Sequence, residues 1–198
     1  RSHHGTYALT TVSKINNTDE LVKKASENSD VAIVIIGRTA GEDRDMAATE
    51  GSYLLTSLEV DMLKKVRASF DKMVVLLNVG GIIDMSFVDT IAPDAVMYVW
   101  QGGMIGGDGV ADVLTGKVTP SGKLSDTIAY ELSDYAATEN FGDKYRNFYK
   151  EDIYVGYRYF ETMEEAKDKV VYPFGYGLSY TRFQKSAPLV RYDAEGNL

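Results

Sequence analysis

Three short, uninterrupted apolar runs lie in the first half of the chain. They are VAIVIIG (31–37), KMVVLLNVGG (72–81) and AVMYVW (95–100). Apolar runs of this length that are rich in β-branched residues are typical of strands buried on both faces of a parallel sheet. We therefore predict a buried strand in each run.

The segments beside these runs have apolar residues at helical spacing. The clearest is TSLEVDMLKKVRASF (56–70), where Thr56 or Ser57 can cap an amphipathic helix. Its predicted apolar stripe consists of Leu58, Met62, Val66 and Phe70. Further short helices are predicted in 17–30 and 107–118, and a short helix or turn in 82–94.

This alternation of strands and helices predicts the fold class. It indicates an α/β layered sandwich with a mainly parallel sheet of about five to six strands flanked by helices. Beyond Pro120 the pattern weakens into a long, aromatic and mostly irregular stretch. We divide the chain into a lead-in at 1–20 (a tag remnant or truncated start), the sandwich domain at 21–184, and a linker at 185–198.

Composition narrows the function classes. The net charge of -8 argues against nucleic acid and against an anionic membrane surface, because both attract basic patches. The chain has no cysteine, and its two histidines are adjacent near the start, so no metal site and no cofactor are predicted. No apolar run reaches the length of a membrane span. We predict a soluble protein that is either cytoplasmic or secreted.

Polar and glycine-rich residues follow each predicted strand. The first run leads into the cluster Glu42, Asp43, Arg44 and Asp45, the second ends at Asn78, and the third at Trp100. The carboxyl ends of parallel strands share one edge of a sheet, where ligands commonly bind. The glycines match neither a P-loop nor a dinucleotide fingerprint.

From the residues alone, two interpretations of this edge stay open. The charged loop is either a solvated strand exit or a source of carboxylate chemistry, and Trp100 is either core or a platform for a ligand. Paired carboxylates act as general acid and base or nucleophile at glycosidic bonds, and aromatic faces stack on sugar rings. Serine-hydrolase chemistry lacks its GxSxG motif here.

Several longer motifs, in order, resemble the second domain of glycoside hydrolase family 3, the β-glucosidase type. They are AGEDRD (40–45), VVLLNVGG (74–81), the segment 100–129 that contains ADVLTGKVTPSGKL, EDIYVGYRYFET (151–162) and YPFGYGLSYTRF (172–183). The resemblance implies an α/β sandwich that supplies the general acid/base to a retaining β-glycosidase. It also implies that the nucleophile lies on a barrel domain absent from this chain.

The resemblance assigns candidate site residues one by one. AGEDRD aligns Glu42 with the acid/base position, with Asp43 as the alternative, and the family's usual arginine after this motif is Met46 here. Candidates for substrate binding or for orienting the loop are Arg44, Asp45, Trp100, Tyr154, Tyr157 and Arg158.

The implied partners follow from this assignment. They are a β-linked glucoside or related oligosaccharide, the barrel domain of the same enzyme, and a possible second copy of the chain. The isolated chain is predicted to be inactive because it lacks the nucleophile. The alternative hypothesis is a non-catalytic carbohydrate-binding or scaffold domain that keeps the sandwich fold.

Overall fold

The structure is a computed structural model that describes residues 19–39 and 45–196. Strands and helices alternate in its first half, as the sequence predicts. In chain order they are α1 (Asp19–Ser26), β1 (Val31–Gly37), α2 (Ser57–Ser69), β2 (Lys72–Asn78), α3 (Phe87–Ile91), β3 (Ala95–Tyr98) and α4 (Gly106–Leu114). None of the described helices has the length and apolar character that crossing a membrane requires.

The central sheet has three parallel strands in the order β1-β2-β3. Val31 pairs with Lys72 at one end of the sheet, and Gly37 pairs with Asn78 at the other. The predicted parallel sheet is confirmed, but the predicted count of five to six strands is wrong for the described residues. They contain only three apolar runs long enough for parallel strands, and each parallel connection also needs a helical crossover.

One face of the sheet packs against the helices and forms the main core. Met73, Val75 and Leu77 of β2 are fully buried there, as is Leu63 of α2. Other members of this core are Val22, Ala32, Val34, Ile36, Val66, Val79, Ile83, Met85, Phe87 and Ile91. Burial of this apolar face stabilises the packing of the helices on the sheet.

The prediction that β1 is buried on both sides is wrong for the described residues, because the opposite face of this strand is exposed. Val31, Ile33 and Ile35 are 47%, 52% and 62% exposed, whereas the residues between them are buried. Successive side chains of a strand point to opposite faces, and among the described residues only one face of β1 is covered. Within residues 19–39 and 45–196, β1 is also an edge strand. Association into a homo-oligomer stays a prediction.

Helix α2 begins at a capping box. The hydroxyl of Thr56 accepts a hydrogen bond from the backbone N–H of Glu59, and the Glu59 carboxylate accepts one from the backbone N–H of Thr56. The predicted stripe is partly wrong, because Leu58 is 80% exposed and Leu63 is buried instead. At 3.6 residues per turn, positions 58 and 63 point about 140° apart, so Leu58 lies outside the buried face.

The second half of the described chain has short elements. They are β4 (Ile128–Ala129), two 3-10 turns at Leu132–Asp134 and Ala136–Glu139, α5 (Tyr157–Thr162), α6 (Glu164–Lys167) and β5 (Val170–Tyr172). β4 and β5 pair antiparallel, with Ile128 opposite Tyr172. The prediction of a mostly irregular stretch therefore missed α5, whose Phe160 is buried in a second, small core. The proposed domain boundaries stay predictions.

Candidate functional site

The carboxyl ends of the three parallel strands lie side by side. The backbone N–H of Arg38, the first residue after β1, donates to the carbonyl of Asn78 at the end of β2 (3.1 Å). The N–H of Val99, just after β3, donates to the carbonyl of Leu77 (2.9 Å). The three strand exits singled out in the sequence therefore share one edge of the sheet, which we call the exit edge.

The acidic loop leaves and returns at this edge. Glu42, Asp43 and Arg44 lie outside the described residues, and the loop is described again from Asp45, whose side chain is exposed. Met46 packs on the exit of β2, since a Cβ added to Gly81 would lie 3.0 Å from the Met46 Cε. The returning half of the loop is thus held against the segment that follows β2.

The buried side chain of Tyr53 strengthens this attachment. Tyr53 is only 2% exposed. The backbone carbonyl of Tyr53 accepts a hydrogen bond from the backbone N–H of Asp84 (2.9 Å). Burial, with smaller effects from Tyr135 and Asp84, raises the pKa of the Tyr53 hydroxyl well above its ordinary value. Tyr53 therefore stays neutral and acts as a packing residue for the loop.

A partly buried ion pair joins the two ends of the loop. The Arg38 guanidinium makes a bidentate pair with the Glu59 carboxylate, with Nη1–Oε1 at 2.5 Å and Nη2–Oε2 at 2.8 Å. It also donates to the carbonyls of Ser52 and Leu54. Burial alone would raise the pKa of Glu59, but hydrogen bonds from Arg38 and Thr56 outweigh it and lower that pKa.

Trp100 stands at the exit of β3. Its ring lies 4.8 Å from the ring of Tyr98, and its backbone adopts a left-handed φ of 55°, which is uncommon for a residue with a side chain. The Tyr98 hydroxyl donates to the Met85 sulfur and accepts from the N–H of Ile83, both at 3.5 Å. The half-buried Trp100 indole therefore lies at the exit edge, tilted by 32° against the ring of a tyrosine that joins the second and third strand exits.

Tyr157 and Arg158 border an open depression of about 480 Å³. Tyr157 stacks on Phe174, with ring centroids 4.3 Å apart and planes 17° from parallel. The Arg158 guanidinium carbon lies 5.9 Å from the centre of the Tyr157 ring. Ile82, which follows β2, lines the same depression, so it adjoins the exit edge. Trp100 and Tyr154 are not among its lining residues, although Tyr154 lies only three residues before the first residue of α5.

Asp126 and Thr127 also line this depression, and the sequence analysis did not single them out. The Asp126 side chain is exposed and accepts a hydrogen bond from the Ser125 hydroxyl (2.8 Å). Thr127 is buried, and its hydroxyl accepts from the backbone N–H of Phe174 (3.2 Å). The depression thus combines a carboxylate, a guanidinium and a flat aromatic face, which is a suitable combination for a polyhydroxylated ligand.

Residues 4–180 match the sequence model of the glycosyl hydrolase family 3 C-terminal domain. The chain belongs to this family. The match covers most of the chain and agrees with the resemblance inferred from the motifs. A β-glucosidase from Ruminococcus albus is 62% identical to this family 3 domain over 169 residues. That alignment covers 85% of the chain but only 18% of the relative's length.

Solved structures of β-glucosidases contain the same fold. The enzyme from Paenibacillus barengoltzii superposes on this family 3 domain with a TM-score of 0.80 at 60% identity, covering 83% of our chain and 18% of that one. β-Glucosidase 3B from Thermotoga neapolitana, solved with glucose, superposes with a TM-score of 0.79 at 38% identity. The latter match covers 89% of our chain and 25% of that chain.

Glu59 is a site residue that the sequence analysis missed. The family 3 domain carries the pattern Thr56-x-x-Glu59, which is a capping-box signature visible in the sequence. That signature accounts for the bonds between Glu59 and Thr56 in the first turn of α2. It contains no information on Arg38, which lies 21 residues earlier and reaches Glu59 only through the tertiary fold.

The Arg38–Glu59 pair makes the stability of the domain depend on pH. The pKa of Glu59 is lower in the folded than in the unfolded chain. The pair therefore stabilises the fold fully when the pH is above 4.5, the ordinary pKa of a glutamate. This contribution is lost as the pH falls through the lowered pKa. We expect wild type to have a higher urea midpoint than Glu59→Gln at pH 7, with the gap narrowing below about pH 4.5.

The control is Glu161→Gln, which makes the same change in charge at an exposed position of α5. A gap between wild type and Glu59→Gln that stays constant from pH 7 to pH 3.5 would contradict the expected linkage.

Proposed function

We propose that this chain is the acid/base domain of a retaining, β-glucosidase-like enzyme and that Glu42 is its general acid/base. The substrate is a β-linked glucoside or a related oligosaccharide, and the nucleophile lies on a barrel domain outside the chain. The observation that supports this most is the convergence of the three strand exits, including both ends of the Glu42 loop, at one edge of the sheet. The names of the family 3 relatives support the substrate class.

The proposed reaction has two steps. In the first, the Glu42 carboxylic acid gives its proton to the glycosidic oxygen while the nucleophilic carboxylate bonds to the anomeric carbon and the C–O bond breaks. In the second, the Glu42 carboxylate takes a proton from water, whose oxygen bonds to the anomeric carbon and displaces the enzyme carboxylate. In retaining enzymes the two carboxyl groups lie about 5–5.5 Å apart, so the barrel has to dock on the exit edge.

The other candidate residues have supporting roles in this proposal. Arg44 and Asp45 follow Glu42 within the acid/base motif and orient its loop. Trp100 offers an aromatic face at the exit of β3. Tyr154, Tyr157 and Arg158 line the part of the site that holds the leaving group. The stacking of Tyr157 on Phe174 supports this role because it fixes an aromatic plane beside the Arg158 and Asp126 side chains.

A second candidate function is non-catalytic carbohydrate binding. The depression beside Tyr157 favours it, since an exposed aromatic face with polar neighbours can bind a sugar without any nucleophile. The two proposals differ in the effect of Glu42. A pure binding module would retain its affinity for an oligosaccharide after Glu42→Ala, and its parent protein would hydrolyse no glycoside.

The isolated 198-residue chain is expected to release no measurable nitrophenol from an aryl β-glucoside. The nucleophile is supplied by another domain in this proposal, and holding both carboxylates around the bond provides much of the rate. The control is the same assay on the full-length enzyme. Turnover by the isolated chain that disappears on mutating one of its carboxylates would contradict the proposed division of labour.

A further inference from the structure

We infer that Arg38 and Glu59 are a positioning pair that holds together the two described ends of the acid/base loop during catalysis. This inference rests on the proposed function, because it concerns the loop that carries Glu42. Its basis is a set of hydrogen bonds that joins the residues where the loop leaves β1 to the residues where it rejoins α2.

The Arg38 guanidinium uses all five of its N–H donors. Nη1 donates to the carbonyl of Gly37 and to Glu59, Nη2 to the carbonyl of Leu54 and to Glu59, and Nε to the carbonyl of Ser52. An arginine side chain has no further donor. A single planar group therefore fixes the distance between the end of β1 and the segment 52–54 on the far side of the loop.

Glu59 attaches this guanidinium to a rigid element. Its carboxylate also accepts from the backbone N–H and the hydroxyl of Thr56, so it cannot change rotamer without breaking the cap of α2. The Arg38 and Glu59 side chains are only 9% and 21% exposed. Charge-assisted bidentate pairs of this kind are directional, and partial burial protects them from competition by water.

The opposite edge of the sheet provides a matched control. Arg67 of α2 pairs with Asp94 (2.8 Å) and donates to the carbonyls of Phe70 and Asp71, which precede β2. Asp94 in turn accepts from Lys72 and from the N–H of Met73. Arg67 is thus an ion-paired arginine with carbonyl partners, but it joins the amino ends of the strands, far along the sheet from the acidic loop.

A lysine cannot replace Arg38 in this role. Its ammonium is a compact charge that lacks the planar fork, so Arg38→Lys would keep the charge and lose the bidentate pair and part of the carbonyl contacts. Displacing a catalytic group by about 1 Å can lower the rate of a reaction by about 10²-fold. The loss should appear only in steps that need proton transfer, because Arg38 acts through the position of Glu42.

The test uses Arg38→Lys, Glu59→Gln and Arg67→Lys in the full-length enzyme, each with and without Glu42→Ala. The substrates are a β-linked glucose disaccharide, whose leaving group needs a proton, and a dinitrophenyl β-glucoside, whose leaving group does not. Urea midpoints establish that every variant is folded under assay conditions. Azide rescue of Glu42→Ala alone tests the proposed function in the same series.

We expect Arg38→Lys and Glu59→Gln to lower kcat/KM for the disaccharide by about 10- to 100-fold and for the dinitrophenyl glucoside by less than about threefold. In the Glu42→Ala background neither change should lower the disaccharide rate further. Equal losses for both substrates, losses that persist without Glu42, or an equal effect of Arg67→Lys would overturn the inference and leave the proposed function standing. Failure of azide to rescue Glu42→Ala would overturn both.

Discussion

Glu42→Ala in the full-length enzyme is expected to lower the turnover of a β-linked disaccharide by about 10²- to 10⁴-fold, the usual contribution of general acid/base catalysis. The size of the loss should depend on the leaving group. A sugar alkoxide needs a proton to depart, whereas a dinitrophenolate leaves unaided, so formation of the glycosyl-enzyme from the dinitrophenyl glucoside should survive. Hydrolysis of this glycosyl-enzyme should become slow, because water loses its base. A burst of dinitrophenolate should therefore precede a low steady-state rate of release.

Asp43→Ala and Asp45→Ala are the matched controls for this prediction, since each removes a carboxylate from the same loop. Neither should produce the burst or the dependence on the leaving group. If Asp43→Ala shows both and Glu42→Ala shows neither, the motif is aligned one residue off and Asp43 is the acid.

The second large effect is expected in the core. Leu63 of α2 is fully buried against the sheet, and truncating such a leucine removes its apolar contacts and leaves a cavity. We expect Leu63→Ala to lower the free energy of unfolding of the chain by about 2–5 kcal/mol, measured by urea denaturation. For a domain of this size the unfolding temperature should fall by several degrees.

Leu58→Ala is the control for Leu63→Ala, because it makes the same truncation on the same helix at a side chain that is 80% exposed. Its effect should stay within about 0.5 kcal/mol. Similar losses for the two variants would contradict the observed orientation of α2 and would favour the stripe predicted from the sequence.

The strands and the capped helix could be predicted because their signals are local. An apolar β-branched run, a Thr-x-x-Glu cap and a helical period are all contained within a few residues. What covers a strand is a tertiary property, and so the exposure of Ile33 and Ile35 could not be predicted. Helix α5 was missed because its six residues, YRYFET, form fewer than two helical turns, which is too short for a clear amphipathic pattern.

The same distinction applies to the candidate site. The positions of the strand exits on one edge followed from the parallel topology, which the sequence does indicate. The pairing of Arg38 with Glu59 did not, because it depends on how α2 returns over the sheet. Asp126 likewise lines the depression, and Phe174 stacks on its Tyr157; these two segments are 48 residues apart in number and are brought together by the short β4–β5 pairing.

The most direct test of Glu42 as the general acid/base is the product that Glu42→Ala forms in azide. Azide is already an anion and needs no base, so it should attack the accumulated glycosyl-enzyme, restore turnover and give a β-glucosyl azide with retained configuration. Proton NMR of the anomeric signal identifies this product. We expect the β-azide from Glu42→Ala and none from Asp45→Ala; no azide product from Glu42→Ala would contradict the assignment of the acid/base to this residue.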